Sequence, residues 1–252
     1  MLLGAAWSAF NLGDTRRAAP LAADGVACAR HAGEPQLEAW GRNLLAGLAW
    51  HAGDADRIIA EIEASQGLSG PADPALAARA QMLLATAALL AGDLAEEDRH
   101  AALAVELART AAGQEGLALA LIASSMPAIS GAGIQPATVA ALDEAANVLA
   151  AHQDRFTETI MRHYRAWLFA TLGQLDAAET EVGLCWAAGR SGAVRLVETL
   201  GPLAEARLAA ARGDTATAVG ALRRAADGGR RVDRHVRSRR PGPPGVSSRQ
   251  RR

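Results

Sequence analysis

The 252-residue chain carries 26 basic residues, and every one of them is arginine. Without lysine, any mechanism that needs a side-chain amine is excluded: the phosphate-loop lysine, the kinase strand lysine, and Schiff-base or pyridoxal chemistry. Six histidines (His31, His51, His100, His152, His163, His235) stand singly, with no HExxH and no His/Cys group at ligand spacing. No metal site is therefore expected. His51 precedes a helix end by one residue, where a dipole or carbonyl contact is expected. No serine lies in G-x-S-x-G, and Gly131-Ala132-Gly133 lacks the third glycine of a dinucleotide fingerprint, so it reads as a turn. Glu96-Glu97-Asp98 offers paired carboxylates for acid/base work. It sits at a helix start, however, where carboxylates favour the dipole, and a structural role is expected. Cys28 and Cys185 lie far apart with no CxxC. They read as reduced thiols of a cytoplasmic protein, with Cys185 at a small packing position as a buried, inert thiol. No catalytic residue and no cofactor follow from these residues, and the chain is not expected to be an enzyme. An all-α enzyme would need acid or His/Asp groups converging from several segments, and only scattered ones are present.

Two polar–aromatic groups stand out instead. Arg162-His163-Tyr164-Arg165 with Trp167 is the densest, and Trp40, Arg42 and Trp50 form a similar set. Arginine and tryptophan are enriched in binding hot spots, which makes Trp40, Arg42, Trp50, Arg162, His163 and Tyr164 candidates for a partner-binding groove. The competing role is structural, with the tryptophans filling gaps between alanine-rich helices.

The elements that would position these groups are helical. Alanine accounts for 62 residues, aromatic residues for only 4%, and half of the chain is apolar. That balance favours helix over sheet, and the length suffices to bury a substantial core. The net charge of −1 conceals an asymmetry: residues 230–252 hold nine arginines against Asp233 alone, about +8, which leaves about −9 on the body. An acidic body argues against a broad nucleic-acid face. The apolar N-terminus has no basic n-region, so a signal peptide is not expected. Gly116 to Leu142 is free of charge, but its prolines, serines and alanines make it a buried helix pair broken at a loop rather than a membrane span.

A period runs through the chain. Gly13, Gly53, Gly92, Gly133, Gly173 and Gly213 recur at gaps of 40, 39, 41, 40 and 40. Aspartate follows four of them, as Asp14, Asp54, Asp93 and Asp214. A glycine just past a helix end accepts the left-handed conformation that closes it, and the aspartate beside it caps the next helix. Glu96, three residues after Asp93, predicts a capping box. Seven residues before each glycine stand Ala6, Ala46, Ala85, Met126, Ala166 and Ala206. Nine after stand Ala22, Ile62, Ala101, Leu142, Val182 and Leu222, all apolar. Twelve after stand Gly25, Ser65, Ala104, Ala145, Cys185 and Ala225, all small. The pattern predicts an all-α solenoid of about six antiparallel helical hairpins over residues 1–229. Breaks between hairpins fall near Ala32-Gly33-Glu34-Pro35, Ser69-Gly70-Pro71, Ala112-Gly113, His152-Gln153 and Arg190-Ser191-Gly192. After Asp227-Gly228-Gly229 the composition turns to arginine, proline, glycine and serine, and 230–252 is expected to be a disordered arginine-rich tail.

The small residue, Gly-Asp seven positions on, and an alanine five after the glycine (Ala18, Ala178, Ala218) resemble the tetratricopeptide repeat, though the period is about 40 rather than 34. Segments 168–182 (LFATLGQLDAAETEV) and 205–228 (EARLAAARGDTATAVGALRRAADG) resemble the helical-repeat region of MalT-like, LuxR-type bacterial transcription regulators and of actinobacterial antibiotic-regulatory proteins. The resemblance implies a right-handed solenoid whose first helices line a concave surface. It also implies a non-catalytic, cytoplasmic module binding a protein, a peptide or a small effector, without a membrane and without sequence-specific nucleic acid of its own. The short first helix and the altered tail suggest a piece of such a regulator, lacking its ATPase and DNA-binding parts. A free-standing tetratricopeptide-like adaptor is the alternative.

Overall fold

The computed structural model describes residues 1–68, 73–111, 115–127, 133–152, 154–191, 194 and 196–237. Among them are twelve α-helices and no strand, so the all-α expectation holds. In order they are α1 (Leu2–Asn11), α2 (Thr15–Ala32), α3 (Pro35–Ala52), α4 (Ala55–Gln66), α5 (Pro74–Ala91) and α6 (Leu94–Thr110). Then come α7 (Glu115–Pro127), α8 (Pro136–Ala150), α9 (Arg155–Thr171), α10 (Leu175–Ser191), α11 (Val197–Ala211) and α12 (Thr215–Arg237).

The six period glycines all have positive φ, from 69° to 93°. At Gly53 the glycine amide donates to the Trp50 carbonyl at 2.9 Å and the Asp54 amide to Ala49 at 3.1 Å. The last turn of α3 is thereby closed on itself. The Asp54 carboxylate then accepts from the Arg57 backbone N–H at 3.0 Å and starts α4. Asp14, Asp93 and Asp214 cap in the same way on Arg17, Glu96 and Thr217. The capping box at Asp93 is only half made. The Glu96 carboxylate turns to Arg99 at 2.6 Å, because a charged partner one turn along outweighs a backbone N–H.

Between hairpin-like pairs, Gly33 (φ 69°) ends α2 and Pro35 opens α3. The other expected breaks involve residues 69–71, 112–113, 153 and 192, which lie outside the described residues, as do Gly131 and Ala132. The charge-free stretch from Gly116 to Leu142 divides between α7 and α8, of 13 and 15 residues. Among the described helices α5 is long and apolar enough to cross a membrane, and here it packs against α3, α4, α6 and α7.

Each helix packs on the next in sequence. Odd-numbered helices also pack on one another in succession, from α1–α3 through α9–α11, and no pair of even-numbered helices does so to a comparable extent. Small side chains permit this approach. The positions seven before and twelve after each turn glycine are buried in every repeat. The apolar position nine after is buried from Ala22 to Val182, whereas Leu222, on a helix packed chiefly against α11, is 50% exposed.

Helix α12 also runs past the boundary expected at Asp227-Gly228-Gly229 and continues to Arg237, while 238–252 lie outside the described residues. Gly228 explains why this glycine is no stop. It is buried, and a Cβ there would stand 2.5 Å from the backbone carbonyl oxygen of Glu198 in α11. The arginines that follow are good helix formers. A mid-helix glycine replaced by alanine ordinarily gains about 0.5–1 kcal/mol. Gly228→Ala should instead lower stability by about 1–3 kcal/mol through overpacking, read as a lower urea midpoint; a raised midpoint would refute the close approach.

Candidate functional site

Five odd-numbered helices converge on one cavity of about 360 Å³. Helix α1 supplies Trp7 and Phe10, α3 supplies Trp40 and Trp50, and α5 supplies Arg79, Met82 and Leu83. Helix α7 adds Leu119, and α9 adds Phe156 and Thr157. The aromatic side chains are in mutual contact. Trp7 lies 5.9 Å from both Phe10 and Trp40, and Phe10 lies 5.6 Å from Phe156, centroid to centroid. The last pair joins α1 to α9, with Phe10 only 3% exposed and Phe156 6%. Gly47 makes room for this packing: a Cβ there would stand 3.3 Å from the Phe10 ring.

One cation enters the cavity. The Arg79 guanidinium lies over the Trp7 ring, 4.5 Å from its centroid. Burial pushes its pKa down to about 10. Asp73 and Asp154 stand at the rim as caps of α5 and α9, accepting from the Ala75 and Thr157 amides at 3.0 Å each. The Thr157 hydroxyl oxygen, on a residue 1% exposed, has no hydrogen-bond partner.

Of the six residues singled out in sequence, the structure brings Trp40 and Trp50 to this cavity and the other four elsewhere. Arg42 is spent on Glu38 at 2.9 Å and Glu61 at 3.1 Å. Arg162 pairs with Glu158 and Glu181 in the same way, the second at 3.1 Å. These two triads are one feature repeated 120 residues apart. The pairs Arg42–Glu61, Gln81–His100 and Arg162–Glu181 all join the residue eleven before a turn glycine to the one eight after it. Spacing alone carries that signal, in the same register as the small residues. His163 is 4% exposed, with Nδ1 3.0 Å from the Leu200 carbonyl. A carbonyl only accepts, so this nitrogen carries the proton. Burial holds the ring neutral, with its pKa pushed down to about 4. Burial likewise pushes the neighbouring Tyr164 hydroxyl up to about 12. These side chains stitch α9 to its neighbours.

Other titratable groups answer to burial as well. His51 does not make the expected carbonyl contact. Its Nε2 is buried without a partner, its ring meets Phe10 at 5.2 Å and Trp50 at 4.9 Å, and desolvation lowers its pKa to about 4. An uncharged imidazole adds nothing to the helix dipole. Cys185 is buried with its thiol 3.5 Å from the Thr159 carbonyl, and burial pushes it up to about 12, the inert state expected of it. Cys28 is free and exposed. Glu97 is the unexpected one. It occupies the register that holds Ala18, Ala178 and Ala218 in other repeats, is 1% exposed, and neither carboxylate oxygen has a partner. Desolvation first, and the nearby Asp98 charge second, raise its pKa to about 7.

No family model matches the chain, and no curated protein does. Among solved structures it is similar to BtubC (BKLC) from P. vanneervenii, at a TM-score of 0.57 and 15% identity, over 93% of this chain and 96% of that one. At that identity the likeness is one of fold.

Glu97 gives a pH test with a defined sign. Its folded pKa lies above the usual carboxylate value, so the folded state holds the extra proton between about 4.5 and 7. The cost of burying the charge is present above pH 7 and vanishes as pH falls below 4.5. Glu97→Gln should raise unfolding free energy at pH 8 by roughly 2 kcal/mol and leave it nearly unchanged at pH 4.5. Urea melts at the two pH values check this, and an equal effect at both would refute the assignment.

Proposed function

We propose that the chain is a right-handed, tetratricopeptide-like solenoid of six antiparallel helical hairpins, α1–α2 through α11–α12, that works as a non-catalytic binding module. The observation that carries this reading is the convergence of α1, α3, α5, α7 and α9 on one aromatic cavity. Packing between successive odd-numbered helices is what an inner solenoid surface requires, because each repeat buries its face only against its neighbours. A cavity of about 360 Å³ with apolar walls and a few polar groups has the size and lining of a ligand site. Among the acidic groups, Glu38, Glu61, Glu158 and Glu181 are committed to arginines and Asp73 and Asp154 to helix caps, while the unpartnered Glu97 is buried and does not line the cavity.

The regulator assignment belongs to the same proposal and rests on the resemblance of segments 168–182 and 205–228. In this reading the module is cytoplasmic and couples an occupant of its inner surface to a transcription-regulating partner. It uses no cofactor of its own and binds neither ATP nor a specific DNA sequence.

A photo-crosslinking residue at Ala75, which is exposed at the cavity rim, tests the partner. Crosslinking in living source cells should yield an adduct with a polypeptide bearing a DNA-binding or nucleotide-binding module. Adducts confined to proteins with no part in transcription would refute the regulator assignment in favour of an adaptor. Absence of any adduct would refute partner binding through this surface.

A further inference from the structure

Arg79 is placed differently from three other half-buried arginines. Arg42, Arg162 and Arg165 each face carboxylates at 2.9–3.2 Å. Arg79 has no carboxylate partner among the described residues, and its one recorded contact of this kind is the face of Trp7. A guanidinium withdrawn from water without a counter-ion is costly unless something supplies the charge. Stacking on an indole offsets part of that cost and leaves the N–H fork free to donate. The Thr157 hydroxyl on α9, without a hydrogen-bond partner, is sealed from solvent, whereas the half-buried Arg79 guanidinium is not. A cation with no carboxylate partner therefore lines a chamber whose other walls include Phe10, Trp40, Trp50 and Phe156.

We infer that this cavity is a binding site for a small monocarboxylate with an apolar body. Its carboxylate accepts from the Arg79 guanidinium, and its apolar part lies among the tryptophan and phenylalanine rings. The volume of about 360 Å³ admits a compact molecule such as an arylalkanoate or a medium-chain fatty acid. The rim carboxylates of Asp73 and Asp154 are turned to backbone amides of their own helices. This inference rests on the binding-module reading and names the class of effector.

The test is titration of the full chain with butyrate, octanoate, 3-phenylpropionate and indole-3-acetate. The readouts are calorimetry and the fluorescence of Trp7, Trp40 and Trp50. At least one acid should bind and alter the tryptophan emission, and its primary amide should bind at least tenfold more weakly. Arg79→Gln should abolish that tenfold preference while leaving the helical circular dichroism intact, since it removes a charge that has no partner in the free protein. Failure of all four acids, equal binding of acid and amide, or a preference that survives Arg79→Gln would each overturn the inference. None of these outcomes touches the crosslinking result at Ala75, which judges the partner reading separately.

Discussion

Close approach of helix backbones is the constraint on which the rest of the molecule depends. A chain with a quarter alanine has few large side chains with which to fill wide gaps between helices. Density near that of an organic crystal then requires that the backbones themselves come close. Gly25 against Leu3, Gly41 against Val26, Gly189 against Val197, Gly201 against Trp186 and Gly228 against Glu198 are the tightest expressions of this, since a single Cβ would collide at each. Large residues such as Ile58, Ile62, Leu83 and Leu142 then fill the spaces left between alanine ridges, and all are fully buried. The period of about 40 residues follows from the same constraint, because every repeat must present its small positions to its neighbours in one register.

Within that packing, charge is tolerated only where a partner arrives with it. Glu38 and Glu181 are buried to about 95%, and each is gripped by two arginines. Pairs of this kind cost desolvation that their attraction and hydrogen bonds offset. Glu97, His51 and Arg79 are the places where no such partner exists, and each responds by shifting toward its neutral form. The first two lie in the packed interior. Arg79 alone of the three opens onto a cavity, which is why it can serve recognition.

The packing of the odd-numbered helices brings residues far apart in sequence into one chamber. Phe10 and Phe156 belong to α1 and α9, yet their rings touch, with His51 beside both at 5.2 and 6.3 Å. The cavity is thus closed on several sides by side chains rather than lying open as a flat groove. Apolar walls on several sides strengthen any polar contact made against them.

Much of the architecture was legible in the sequence because it is local. Each Gly-Asp turn at Gly13, Gly53, Gly92 and Gly213 is decided within a few residues by the left-handed backbone and the cap, and the small positions at fixed offsets carry the packing register. The site was legible only in part. Trp40 and Trp50 could be singled out by type, but Arg42, Arg162, His163 and Tyr164 looked equally suited to binding until their partners were known. Residue type does not separate an arginine held by glutamate from one left free; only the register of Arg42 and Arg162 against Glu61 and Glu181 does, and the contacts reveal it. Arg79, Phe10 and Phe156 gave no local sign, and neither did the passage of α12 through Gly228, because the carbonyl that crowds it lies in another helix. The sequence by itself determined the helices, their turns and their packing register, since these depend on neighbours within about one repeat. Only the tertiary structure decided which polar groups are consumed and which remain available, because that depends on the desolvation and the partners each one meets across the fold.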